Sequence, residues 1–226
     1  MTLRSENEKY YLILLIIIVS VHMVSKTREK FIEVARQLFA RKGVENTTMN
    51  DIASASEKGR RTIYTYFKSK REIFNAVIAS ETDELLKRLR QIINLDIPAE
   101  EKLVRYIDCR FDTMSEIVSR NGSLRAGFFR DVRKVDRARK LITDKESNLL
   151  KEILQEGIEQ GVFRINDLDG ASLVITHTLH GLDVPYVRDN ISKEGVTQEQ
   201  LKKYTTRLIL YGLNGKEINE SEEINS

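Results

Sequence analysis

Cysteine occurs once, at Cys109, so no intrachain disulfide can form and nothing in the sequence demands an oxidising compartment. Proline occurs twice, at Pro98 and Pro185, and no Val- or Thr-rich stretch alternates with polar residues. Strands are therefore poorly encoded, and an all-α fold is expected. Histidine is limited to His22, His177 and His180. The last two stand one helical turn apart, yet no third ligand accompanies them at metal spacing, so neither a metal site nor a cofactor is expected. A Gly-rich phosphate loop, G-x-S-x-G and H-E-x-x-H are all missing. No catalytic residue can be named, which argues against an enzyme.

Apolar residues are plentiful enough to build a core: 41% of 226 residues are hydrophobic. The net charge of +3 is small, but it is unevenly distributed. From Ser25 to Arg71 there are twelve Lys or Arg and five Asp or Glu, a net +7. The remainder carries 25 basic and 29 acidic residues, a net −4. A basic segment joined to a mildly acidic one suits a chain of which one part meets a polyanion.

Hydrophobic spacing within the basic segment predicts three short helices and the start of a fourth. Phe31, Val34, Ala35, Leu38 and Phe39 form one helical stripe, which Gly43 ends. Asn46, Thr47 and Thr48 supply N-cap chemistry for a second helix, with Asp51 in its first turn. Glu57-Lys58-Gly59 reads as a turn, followed by a third helix from Arg60 to Tyr66 with Ile63 and Phe67 facing inward. A longer helix begins near Lys70, with Ile73, Phe74, Val77, Ile78, Leu85, Leu86 and Leu89 as its stripe. This is the pattern of a helix-turn-helix whose third helix enters the major groove of duplex DNA. Arg60 and Arg61 suit phosphates or guanine edges, Thr62, Tyr64 and Tyr66 offer hydroxyls, and Lys70 stands at a helix start that favours a phosphate. Thr47 and Thr48, at the head of the second helix, complete the expected DNA-facing set.

The run TTMNDIASASEKGRRTIYTYFKSKREIF, with ARQLFARKG before it, resembles the tetracycline-repressor (TetR) family. The resemblance covers Lys26 to Phe74, about a fifth of the chain. It implies a helical DNA-binding domain, then a helical domain that dimerises through its last two long helices and surrounds an effector pocket. The chain departs from the family at the turn, where Ala-Gly-Val-Ser and a Lys-Gly pair are common. Here Ser56-Glu57-Lys58-Gly59 is followed by Arg60-Arg61, so base preference does not carry over and the turn geometry stays open at this point.

Beyond the basic segment, Pro98 opens a helix to about Ser119, and Asn121-Gly122-Ser123 breaks the chain. Further helices are expected from Leu124 to about Leu141, from Thr143 or Asp144 to Gly161, from Asp167 to about Leu182, and around Leu201 to Tyr211. The 171–182 helix is apolar nearly all round, and with the 201–211 helix it is the expected subunit interface of a homodimer. Tyr106, Phe111, Met114, Phe128, Phe129, His177 and His180 are the candidates to line a pocket for a small apolar or amphipathic effector, although most such residues are ordinary core.

Upstream, Tyr10 to Val24 is apolar except for Ser20 and His22. These fifteen residues fall short of the roughly 20 that span a bilayer, and no cleavage site follows. The run is a membrane anchor, a buried or partner-binding helix, or sequence upstream of a start at Met23. The last reading is preferred, so a cytoplasmic protein without membrane association is expected. The expected organisation is an extension over 1–24, a DNA-binding domain over 25–71, a regulatory and dimerisation domain over 72–214 and a polar tail over 215–226. The expected function is a ligand-responsive repressor binding a palindromic operator as a dimer; a membrane-tethered helix-turn-helix adaptor is the alternative.

Overall fold

The computed structural model describes residues 25–121, 132–188 and 191–214. These form α-helices with one short 3-10 turn at Ile191–Glu194, and no strand occurs among the described residues, as an all-α fold requires. The helices are α1 (25–42), α2 (Met49–Ala55), α3 (Arg60–Tyr66), α4 (Lys70–Ile93), α5 (Ala99–Asn121), α6 (Val132–Glu159), α7 (Leu168–Arg188) and α8 (Gln198–Asn214). The described residues divide into two compact units, one of residues up to 80 with Asn121 and one of the remainder from 81 onward. The expected boundary at residue 71 lies within α4, whose first part belongs to the first unit and whose remainder belongs to the second. The apolar run at Tyr10 to Val24, the tail after 215, and Phe128 and Phe129 lie outside the described residues. No described helix is long and apolar enough to cross a membrane.

In the first unit, the stripe of α1 packs Phe31, Ala35, Leu38 and Phe39 against Ile52, Ala53, Ile63, Phe67, Ile73 and Val77. Phe31 meets Phe67 edge-on with ring centroids 6.5 Å apart, and Phe39 meets Phe74 at 6.2 Å. Such edge contacts direct a ring's positive rim at its neighbour's π face and so favour one arrangement over a merely oily cluster. Gly43, at φ 83°, ends α1 in the left-handed region that a side chain disfavours.

The second unit is assembled around apolar faces of five helices, α8 contributing Leu201 and Leu213. Leu85 and Leu89 come from α4, Leu103, Tyr106, Ile107 and Phe111 from α5, Leu150, Ile153 and Leu154 from α6, and Leu179 from α7. Inside this core lies a charge cluster. Arg110 on α5, with its side chain 1% exposed, donates from Nε to Glu146 on α6 at 2.8 Å. It also donates from both terminal nitrogens to Asp183 on α7, at 2.7 and 3.1 Å. His180 places Nε2 3.2 Å from Glu146 and Nδ1 3.3 Å from Thr143 Oγ1. The Tyr106 hydroxyl donates to the Glu146 carbonyl at 3.2 Å. Burial alone would raise the Glu146 carboxyl, but the Arg110 guanidinium and the His180 ring bring it down to about 2. Burial alone would lower the Arg110 guanidinium, but Glu146 and Asp183 hold it above its ordinary range.

Two helix boundaries differ from the sequence reading. The break expected at Thr143 is absent: α6 runs unbroken through it to Glu159. Thr143 is buried and its hydroxyl meets His180, so the residue that resembles a cap serves interhelical packing. The apolar helix expected to stop near Leu182 continues to Arg188, through Pro185. A proline ring crowds the carbonyl four residues back. Here that residue is Gly181, where an added Cβ would meet nothing within 4 Å.

Arg110→Met is expected to cost about 3–5 kcal/mol, because it strands two buried carboxylates. Chemical denaturation at neutral pH measures it. Glu146 has a folded value of about 2 against an ordinary 4.5, so its contribution is complete above about pH 4.5 and is lost as pH falls towards 2. With Arg110 removed, burial dominates at Glu146, and this acid-side loss should disappear from the variant's stability profile.

Candidate nucleic-acid interface

The Thr48 hydroxyl accepts from the Asp51 backbone N–H at 3.1 Å, and the Asp51 carboxylate accepts from the Thr48 N–H at 2.9 Å. This reciprocal box satisfies two backbone donors at the head of α2. The Thr48 N–H and hydroxyl hold the Asp51 carboxyl below its usual range. Thr48 itself is exposed, whereas Thr47 is fully buried and donates its hydroxyl to the Gly43 carbonyl at 2.8 Å. The sequence placed both threonines at the DNA surface; in the folded unit the Thr47 side chain serves the α1–α2 link instead.

The turn between α2 and α3 resolves the question left by the displaced glycine. Ser56 caps α2, with its buried hydroxyl on the Ile52 carbonyl at 2.7 Å. The left-handed residue is Glu57, at φ 56°, and Gly59 is the N-cap of α3 in an extended conformation. Lys58 donates its backbone N–H to the Ala53 carbonyl at 3.0 Å, and its side chain is exposed. The Lys30 ammonium meets the Glu57 carboxylate at 2.9 Å, an exposed contact that ties α1 to the turn.

α3 buries only Ile63. Arg60 and Arg61 are exposed, and neither forms an ion pair among the described residues. The Arg60 guanidinium lies 5.9 Å from the centroid of the Tyr64 ring, and Tyr64 is 43% exposed. Thr62 is partly buried. Tyr66 is also partly buried, with its ring 5.6 Å from that of Phe31, so the ring belongs to the core edge. Lys70 is partly buried and donates to two backbone carbonyls. The sequence reading missed Lys58 and Lys68, both exposed and flanking α3 at either end. Their signal was position alone, just outside the helix that the motif drew attention to. Arg28 is drawn towards the core rim, 5.1 Å from the Phe67 ring centroid.

A short helix with a single buried anchor and an unpaired basic, aromatic outer face is what a major groove accepts. Residues 31–77 match the family of bacterial regulatory proteins described as tetR. The chain carries this family's region. Similar proteins include the HTH-type transcriptional repressor KstR2 of Mycolicibacterium smegmatis, 26% identical over 63% of this chain and 69% of its own. Another is the HTH-type transcriptional regulator YfiR of Bacillus subtilis, 28% identical over 62% of this chain and 69% of its own. A solved transcriptional regulator from Cytophaga hutchinsonii is 26% identical, with a TM-score of 0.67 over 83% of this chain and 98% of its own. The family match and these similar regulators support DNA-binding regulation of transcription.

The effector candidates fall in different surroundings. Tyr106 and Phe111 are fully buried, and no void able to hold a water touches either side chain. Met114 is partly buried against the core, and His180 is partly buried beside Glu146. His177 is exposed on α7, its ring 6.3 Å from that of His180. Among the described residues no cluster of His, Cys, Asp and Glu is placed to hold a metal ion.

Thr48→Ala removes the hydroxyl half of the box at α2. The expected loss is about 1 kcal/mol of stability, read by denaturation of the full chain.

Proposed function

We propose that the chain is a ligand-responsive repressor that binds palindromic DNA as a homodimer. The observation that carries this reading is the outer face of α3, where Arg60, Arg61 and Tyr64 are exposed while Ile63 alone is buried. The proposed contacts are these residues with Thr48 and Thr62, and Lys58 and Lys68 on the flanking phosphates.

Dimerisation is supported by an uncovered apolar face on α7 and α8. Val174 is 65% exposed, Leu208 74% and Tyr211 68%, with Leu173 and Tyr204 beside them in sequence register. Large side chains left in water at helical spacing are best explained by a surface that a second copy covers. A symmetric pair presents two copies of α3 and therefore reads a two-fold repeat.

Effector response is proposed at the core of the second unit near Met114 and His180. Since Tyr106 and Phe111 are already enclosed by protein, a ligand entering there has to displace packed side chains. It would thus favour an arrangement of α5, α6 and α7 other than the present one, which is the condition for coupling ligand to DNA.

The test is DNA binding by the full chain to a short duplex that the protein itself selects from a random-sequence library. Affinity should fall linearly with salt on logarithmic axes, and Arg60→Ala with Arg61→Ala should weaken it by about tenfold or more. Leu208→Glu should yield monomers by sedimentation and lose most of the affinity. Salt-insensitive binding, or full affinity in a monomeric variant, would overturn the reading.

A further inference from the structure

Lys70 opens α4, at a helix start where the sequence reading expected a phosphate. In the folded unit its ammonium is engaged elsewhere. Nζ donates to the Val44 carbonyl at 2.6 Å and to the Glu45 carbonyl at 3.1 Å, both in the link between α1 and α2. The two preceding carbonyls are also held by side chains. The Lys42 carbonyl accepts from Asn46 Nδ2 at 3.0 Å, and the Gly43 carbonyl accepts from the Thr47 hydroxyl at 2.8 Å.

Four successive carbonyls leaving α1 are therefore engaged, and Lys70 is the donor brought to them from another helix. These groups lie at and beyond the negative end of the α1 dipole, where an ammonium is favourably placed. No carboxylate forms an ion pair with Lys70 among the described residues, so its charge compensates carbonyl dipoles. The link so held delivers the chain into α2, and α2 seats α3: Ile52, Ala53 and Ile63 share one core.

We propose that Lys70 is a positioning residue for DNA binding. It ties the α1–α2 link to the start of α4 and so fixes the seat of the recognition helix, without neutralising a phosphate itself. The proposal rests on the DNA-binding reading above. It departs from that reading's simplest extension, in which every basic residue near α3 is a phosphate contact.

The experiment compares the full-length wild type, Lys70→Met and Lys70→Gln on the duplex selected by the wild type. Affinity is measured across a salt series at a temperature where each is folded, and thermal midpoints are recorded in parallel. Met removes both donors and charge; Gln removes the charge but keeps a donor for a carbonyl. Positioning predicts that Lys70→Met binds about tenfold or more weakly with the same salt slope, and that Lys70→Gln recovers part of the loss. A role confined to stability would lower the midpoint and leave the folded protein's affinity unchanged, which overturns the proposal. A phosphate contact would reduce the slope by about 0.9 in both variants, with Gln no better than Met, which also overturns it. Should Lys70→Met fail to fold, Lys70→Gln decides: weaker binding with an unchanged slope supports the proposal, and a reduced slope or wild-type affinity overturns it. Absence of salt-dependent binding by the wild type would instead strike the DNA-binding reading.

Discussion

A guanidinium enclosed by two carboxylates lies where α5, α6 and α7 meet, and each helix has to present its group at one register. Arg110 reaches Glu146 through Nε and Asp183 through both terminal nitrogens. Apolar packing alone tolerates small slides between helices, since one methyl contact resembles the next. A forked donor matched to a carboxylate does not, because a lost bond leaves a charge stranded away from water. The cluster is weak evidence for net stability but a strong constraint on alignment. Around it the polar contacts continue, from Tyr106 to the Glu146 backbone, from His180 to Thr143, and between Ser147 and Ser172 at 3.0 Å.

The first unit solves its alignment differently. It has aromatic edges in its core and backbone groups satisfied by short polar side chains around it. Ser56, Thr47, Thr48 and Asn46 each bond to backbone within four residues. These local bonds fix where α1 and α2 stop and start, leaving the long basic side chains of α3 free of internal duty. The outer face of α3 is therefore available because small residues elsewhere meet the backbone's needs.

How much of this was legible depends on whether the signal is local. The stripes of α1 and α4 and the caps at Gly43 and Thr48 are carried by neighbouring residues, so sequence spacing is sufficient to find them. That Arg60, Arg61 and Tyr64 lie on the exposed face of α3 was legible because Ile63 marks its inward side. The partners of Arg110 were not legible, since Glu146 and Asp183 lie 36 and 73 residues away. For the same reason Thr143 read as a cap, and Thr47 and Lys70 read as surface groups. In each case a hydroxyl or ammonium suited to solvent is taken up by an acceptor that only the tertiary fold supplies. The displaced turn glycine left the turn geometry open, because spacing alone does not show that Glu57 takes the positive φ and Gly59 caps the next helix.

At the end of α6 the chain folds back and lays the Phe163 ring where a side chain at position 157 would stand. A Cβ built on Gly157 would lie inside any permissible contact with that ring. Phe163 is itself buried, and the neighbouring Arg164 N–H reaches across to the Leu213 carbonyl of α8 at 2.9 Å. The ring therefore has little freedom to retreat. Positions 157 and 163 consequently share one volume, and sequence drift at either is tied to the other. A lineage that gains even a methyl group at 157 has to surrender bulk at 163, so the two sites should change together or not at all.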